Sequence, residues 1–255
     1  MKPHKNISAP MLAAIGAGVL VGLLFLSYVL SSGLLHERST GITLPDGNTD
    51  TPVVSQGSHM LTAQSVADIE IGTGNAQSVI ASLTRPTAYS CSIENTLYYD
   101  GGSSALRCRR YAQEDVVRTD TLSESGSVQS TLIRDGDTAY AWDAGDSTAY
   151  QGEWGDFTDD AAAMLPTYED VLDEGIELLS AGRQDVDFEP CIMVEFEQGG
   201  YRCVYYVSAA TGLLKTASFY SGDTLTRQVT VSALQTDAPD EELFALPDGT
   251  SLLGE

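Results

Sequence analysis

The residue types that most often carry chemistry are few in this chain and poorly placed for it. Histidine occurs at His4, His36 and His59, so no imidazole follows residue 59 to serve as the base of a Ser–His–Asp relay. Lys215 is the only lysine beyond Lys2 and Lys5, and no SxxK motif precedes it, which leaves a Ser–Lys pair without its spacing. GxSxG, D-[ST]-G and phosphate-binding glycine loops are absent. Asp185, Asp187 and Glu189 alternate. Within a strand over 185–197 they would stand about 6.6 Å apart on one face, a spacing able to hold a cation weakly. The chain carries 36 acidic residues, and a solvated edge is the simpler reading of these three. Asp135, Asp137, Asp143 and Asp146 read as hairpin turns. No catalytic residue, metal-ligand set or cofactor motif emerges, and the chain reads as a non-enzyme.

Four cysteines remain: Cys91, Cys108, Cys191 and Cys203. Their number and their place after an export segment point to two disulfides, each worth about 2–4 kcal/mol. That export segment is 11–35, which carries no charge. As a helix it would span about 37 Å at ~1.5 Å per residue, enough for a hydrocarbon core of ~30 Å. Lys2 and Lys5 precede it and the first acid is Glu37, which puts the N-terminus in the cytoplasm and the body beyond the membrane. A cleaved signal peptide is the alternative. The length favours an uncleaved anchor, while Ser31, Ser32 and Gly33 supply a weak cleavage site. Ala14, Gly18 and Gly22 recur every four residues, a spacing that lets two membrane helices pack as a homodimer.

The formal net charge is −23, and every acid lies beyond residue 36. So acidic a body is repelled by nucleic acid and by anionic membrane surfaces. Four segments follow: a cytoplasmic N-terminus (1–10), a transmembrane anchor (11–35), a polar, turn-rich stalk (36–60) and one extracytoplasmic domain (61–255). Within the domain a short helix is expected over 75–84, capped by Asn75 and stopped before Pro86. Strands are expected over 88–99, 105–118, 127–134, 137–142 and 147–152. A second helical region covers 159–181, and four strands follow over 185–197, 201–208, 213–221 and 224–233.

The last strands fix their own register. A turn at Gly199–Gly200 sets Glu197 opposite Arg202 and Val194 opposite Tyr205. A loop at 209–212 sets Val207 against Leu214 and Tyr205 against Thr216. A turn at Gly222–Asp223 sets Tyr220 against Leu225 and Thr216 against Val229. Together these produce one dry face, because a one-residue slip would scatter it. That face holds Ile192, Val194 and Phe196, then Cys203, Tyr205 and Val207, then Leu214, Thr216 and Tyr220, and finally Leu225, Val229 and Val231. Arg227 falls within it beside Ser218. Three fates are open to Arg227: reaching the rim, pairing with an acid, or meeting an anionic headgroup. Tyr140, Trp142 and Tyr150 could add aromatic lining, and Trp154 could be a lid hinge or a loop anchor. The same register puts Cys203 on the dry face and Cys191 on the wet one, and offsets Cys91 from Cys108. Disulfide connectivity stays open. The fold class is α+β: an antiparallel sheet curved into a half-barrel over short helices, preceded by one transmembrane helix.

TLIRDGDTAYAWDAGDSTAYQG (131–152), YYVSAATGLLKTASFYSGDTLTRQVTVSAL (205–234) and DEELFALPDG (240–249) resemble the outer-membrane lipoprotein carrier (LolA/LolB) superfamily. Its relatives include mycobacterial lipid-binding lipoproteins and the regulator RseB. The shared pattern is strand–DG–strand, a TG-ended turn before a Leu-rich strand, and a closing Phe-x-Leu-Pro. The resemblance implies an unclosed β-barrel with a helical lid and a concave face that holds acyl chains. On that basis the ligand-binding face would be Val194, Phe196, Tyr205, Val207, Leu214, Thr216, Tyr220, Leu225, Arg227 and Val229. Two functions follow, from different classes. One is a tethered binder of a lipid or lipopeptide. The other is a protein–protein or sensor module whose hollow is filled by its own helices. A real cavity favours the first, and a filled core with a free strand edge favours the second.

Overall fold

Alternating apolar and polar residues between glycine- and aspartate-rich turns dictate strands, and the chain folds them into one antiparallel sheet. The computed structural model describes residues 66–157 and 162–253, all within one compact unit. Its strands are β1 (Ala88–Tyr99), β2 (Gly102–Gln113), β3 (Val116–Leu122), β4 (Val128–Asp135), β5 (Thr138–Asp143) and β6 (Tyr150–Glu153). They continue with β7 (Leu178–Val186), β8 (Glu189–Gln198), β9 (Tyr201–Ser208), β10 (Leu214–Ser221) and β11 (Thr224–Gln235). The spatial order is β6-β5-β4-β3-β2-β1-β11-β10-β9-β8-β7. Two meanders are thus joined by the β1–β11 ladder, and β6 and β7 are left as edges. The sheet is unclosed, with few and short helices: an α+β half-barrel. The segment 11–35, the stalk 36–60 and the Ala14, Gly18, Gly22 stripe lie outside the described residues. Among the described residues no helix is long and apolar enough to cross a membrane.

The register expected for β8–β10 holds at its anchors. Glu197 opposes Arg202, Val194 opposes Tyr205, and Val207 opposes Leu214. Tyr220 opposes Leu225, also as expected. Two bulges then change which residues face inward. One extra residue, Lys215, is inserted between Leu214 and Thr216, so Thr216 opposes Tyr206 and Ala217 takes the place opposite Tyr205 and Val229. On β11 the register slips again between Phe219 and Tyr220, with Thr226 as the extra residue. Thr216, Tyr220 and Leu225 therefore leave the dry face, where Ala217 and Phe219 replace them. Tyr220 instead lies under the Arg202 guanidinium, 4.2 Å from its ring centroid.

Three elements differ from expectation. The strand expected over 105–118 is broken by a turn at Glu114, whose φ is 54°, and the chain returns as β3. The helix expected over 159–181 is instead a one-turn 3-10 segment, Tyr168–Leu172, followed by β7. Gly175, at φ 91°, breaks the apolar stripe that suggested a helix, and Leu178 onward pairs with β8. The strand expected over 185–197 is likewise a hairpin, turning at Asp187 and Phe188 with φ 52° and 65°. The three alternating acids thus flank a turn, and Glu189 pairs with Lys215 at 3.0 Å.

Helix α1 (Ala76–Ala81) is too short to persist alone and survives by burying Ala76, Val79 and Ile80. Asn75 occupies its N-cap position without capping it. Its Oδ1 accepts from the Gly72 N–H (2.9 Å), and its Nδ2 donates to the Glu70 carbonyl. Arg85 closes the other end, donating to the carbonyls of Ile80 (2.6 Å) and Leu83 (3.1 Å). Beneath α1 lies the main core, with Phe196, Val194, Tyr205, Val207 and Val229 all at 0–1 % exposure. A separate apolar cluster covers the outer face, where Phe244 packs on Val116 and Ile133 with Trp142 at its margin. Phe244 belongs to the Glu241–Phe244 turn of the DEELFALPDG motif. The Arg118 guanidinium holds that strap by donating to the Leu243 carbonyl while pairing with buried Asp120 at 2.8 Å.

The TG-ended turn has a steric cause. Gly212 adopts φ 66°, and a Cβ there would stand 2.8 Å from Arg85 Cγ and 3.1 Å from Leu83 Cβ. Gly222, at φ 58°, faces open space. Gly222→Ala should cost only the backbone strain of about 1–3 kcal/mol, and Gly212→Ala distinctly more. Urea denaturation of both variants measures the gap, and equal losses would refute the steric account.

Candidate functional site

The inner face of the sheet has two halves with different fates. Over β8–β11 it is filled: α1, Leu165 and Val171 sit on Val194, Phe196, Tyr205 and Val207, leaving no room for a ligand. Over β1–β4 it is not filled. There a cavity of about 470 Å³ opens between the sheet and the segment 162–169. That volume is within the range of small-molecule sites, about 300–1,000 Å³.

Cross-strand pairing builds the cavity wall in rows. One row runs Cys91, Arg110, Thr119, Leu132, from β1 to β4. The next runs Tyr89, Ala112, Val117, Arg134. Opposite residues in an antiparallel ladder share a face, so these two rows are the floor. Leu165, Pro166, Thr167 and Tyr168 form the cover, Trp154 closes one flank, and Leu214 and Val231 close the other. Glu114, Asp115 and Glu169 stand at the exposed rim.

Of the ten residues expected to bind ligand, only Leu214 lines this cavity. Val194, Phe196, Tyr205, Val207 and Val229 are core, and Thr216, Tyr220 and Leu225 have moved off the face. Among the described residues Arg227 pairs with no acid. It donates to Asn95 Oδ1 (2.9 Å) and to the Met164 carbonyl (3.0 Å), and stacks over Phe219 at 4.9 Å. It fastens the cover to the sheet, and burial lowers its pKa. Trp142 packs on the outer face and Tyr150 is 65 % exposed on the edge strand, so neither lines the hollow. Trp154 does, beneath the Arg134 guanidinium at 4.9 Å. Sequence reasoning missed the β2–β4 wall. Part of its signal was present, in small or short side chains on that face: Ala112 on β2 and Thr119 on β3.

All four cysteines are buried, and none is bridged. The expected disulfides fail for the reason their register gives. Cys91 opposes Arg110 while Cys108 opposes Ile93, and Cys203 opposes Phe196 while Cys191 opposes Gln184 and Ser208. Burial pushes the Cys91 thiol up to about 11, and it raises the Tyr89 and Tyr168 phenols from their ordinary value. At neutral pH the Cys91 thiol and the two phenols therefore stay protonated. Among the described residues no cluster of three or more potential ligands could hold a metal ion.

The cover is positioned by Thr167 and Asp170. Thr167 Oγ1 accepts from the Glu169 N–H (3.1 Å), and Asp170 Oδ2 accepts from the Thr167 N–H (3.3 Å). The same Asp170 oxygen accepts the buried Tyr205 hydroxyl at 3.0 Å. Desolvation raises the Asp170 pKa, and these two hydrogen bonds only partly offset it.

The sequence matches no protein-family model and no curated protein. Solved structures align with the fold at low similarity. One is a LolA superfamily protein from Nitrosomonas europaea: 10 % identical, TM-score 0.36, covering 69 % of this chain and 98 % of that one. Another is a putative outer-membrane lipoprotein-sorting protein domain from Vibrio parahaemolyticus: 12 % identical, TM-score 0.36, covering 64 % and 91 %. A third is a conserved protein from Thermus thermophilus: 10 % identical, TM-score 0.43, covering 61 % and 82 %. The names include the superfamily that the sequence motifs resemble.

Tyr205→Phe deletes the hydroxyl donor and leaves the buried Asp170 carboxylate short of a partner, at a cost of about 1–3 kcal/mol. A carboxyl whose folded pKa is raised contributes stability below the ordinary carboxylate range, and loses it as pH rises through the shifted value. Removing the donor raises that value further, so the deficit of the variant should grow with rising pH. Urea titrations at several pH values check this, and a deficit that is flat with pH would refute it.

Proposed function

We propose that this chain is a membrane-tethered, extracytoplasmic binding protein that holds a hydrophobic ligand, a lipid or lipopeptide, in the hollow between β1–β4 and the 162–169 cover. One observation carries the reading: a cavity of about 470 Å³ on the inner face of the sheet, lined mainly by apolar side chains with Arg110, Thr119 and Arg134 among them, where the rest of that face is filled. A mainly apolar hollow that size forgoes packing contacts and destabilises the chain, so its retention calls for an occupant. Tethering rests on the uncharged 11–35 segment and the lysines before it.

A second reading, a protein–protein module, draws support from the free β7 edge. Leu179 is 56 % exposed there, and Phe188, at the tip of the β7–β8 hairpin, is fully exposed. That reading requires a filled interior, which holds beneath β8–β11 and fails over β1–β4.

Ala163 is half-buried on the cover and lines the cavity, so Ala163→Trp should fill the hollow without disturbing the sheet. Native mass spectrometry and lipid extraction of the purified chain should find a hydrophobic ligand in the wild type and a several-fold loss in the variant. A ligand-free mass for the wild type, unchanged after incubation with phospholipid or lipopeptide, would leave the protein–protein reading in its place. Tethering has a separate check. The full chain should stay with the membrane pellet through alkaline carbonate extraction, and release into the supernatant would refute an uncleaved anchor.

A further inference from the structure

The cations of this acidic chain are nearly all accounted for. On or near the outer face Arg107 meets Glu94 at 3.1 Å, Arg118 meets Asp120 at 2.8 Å, Arg202 meets Glu195 at 3.0 Å, and Lys215 meets Glu189 at 3.0 Å. Three arginines line the hollow: Arg85, Arg110 and Arg134. Arg85 is spent on backbone carbonyls and on the Tyr168 ring, 3.7 Å away. Arg134 donates to the Gly136 carbonyl (3.0 Å) and stacks on Trp154. Arg134 too is bonded only through Nε, but the Trp154 ring takes up its flat face; Arg110 has no such stack among the described residues. It stands half-buried on the floor between Cys91 and Thr119, and no ion pair forms there among the described residues. Among the described residues its one hydrogen bond is from Nε to Thr119 Oγ1, at 3.4 Å.

A guanidinium has five N–H donors, and one held only at Nε keeps its terminal fork free. A fork of that kind pairs in bidentate fashion with a carboxylate or a phosphate. Leaving it unsatisfied on a mainly apolar floor is costly. The acids of the site, Glu114, Asp115 and Glu169, are exposed at the rim, where water solvates them. The geometry points to an amphiphile with a single anionic headgroup, carboxylate or phosphate, seated on the Arg110 fork, with its tail against Ile93, Leu132 and Leu165. This rests on the hydrophobic-ligand reading above and adds the headgroup to it. The acidic rim repels a free anion, so carboxylate or phosphate without a tail binds poorly.

The test uses the full chain in amphipol, with cis-parinaric acid and its methyl ester as fluorescent probes of matched tail. The acid should bind at least about tenfold more tightly than the ester. Arg110→Gln should bring the acid down to the affinity of the ester and leave the ester unchanged, which also shows that the hollow is intact. Displacement by palmitate and by hexadecyl phosphate then tells carboxylate from phosphate: either one outcompeting hexadecanol supports the assignment, and the stronger names the source. Equal binding of acid and ester by the wild type overturns the headgroup while leaving the hydrophobic hollow standing. An acid preference that survives Arg110→Gln overturns the role of Arg110. Failure of the wild type to bind either probe overturns the hydrophobic-ligand reading, and the headgroup with it.

Discussion

The inner side of this sheet is organised around the side chain of Arg85. Its Nε donates to the Gly212 carbonyl at 3.1 Å, its terminal nitrogens donate to the end of α1, and its flat face lies on Tyr168 of the cover. Helix, β9–β10 loop and cover thus converge on one planar, charged group. Burial lowers its pKa, yet a guanidinium stays protonated at any physiological pH. A lysine could supply the charge, but its ammonium could neither stack flat nor fan donors toward three separate elements. The bare Cα of Gly212 belongs to the same arrangement, because it makes room for the stem of the arginine.

From that point the sheet divides its labour. Beneath β8–β11 large side chains interlock, as in the edge-to-face contact of Phe196 and Tyr205 at 5.1 Å, and contribute the burial on which stability rests. Over β1–β4 the floor mixes large side chains with small ones such as Cys91, Ala112 and Thr119, and the cover stands away from them. A hollow of this kind gives up dispersion contacts that a closed core would have. The domain can bear the loss because the outer face of β3–β5 has its own apolar strap around Phe244. Those strands are therefore packed from behind while remaining open in front.

Turn chemistry made much of the fold readable before any coordinates. Gly199–Gly200 and Gly222–Asp223 fixed hairpins that pair as expected at Glu197–Arg202 and Tyr220–Leu225. The bulges at Lys215 and Thr226 were not readable, since neither residue carries a glycine-like signal and both strands keep plausible alternation on either side. The stretch 171–179 misled for a related reason. Its apolar spacing suits a helix, but Gly175 and the pairing of β7 with β8 override it. The site was harder still. A dry face looks the same in sequence whether a helix fills it or a hollow faces it. What separates the two is where α1 and the cover come to rest, and long-range contacts such as Arg227 to Met164 set that position.

The ladder joining β1 to β11, in which Ser92 meets Ser232, links the first strand to the last. The outer strap at Phe244 comes later still in the chain. A polypeptide is made from its N-terminus, so β1–β6 leave the ribosome long before either contact exists. Until then the outer apolar patch of Val116 and Ile133 and one ladder edge of β1 stay uncovered. Such non-local closure slows folding and prolongs exposure to aggregation. The domain consequently closes only once the chain through Phe244 has emerged, and a nascent chain stalled short of it would be a client for chaperones rather than a smaller folded domain.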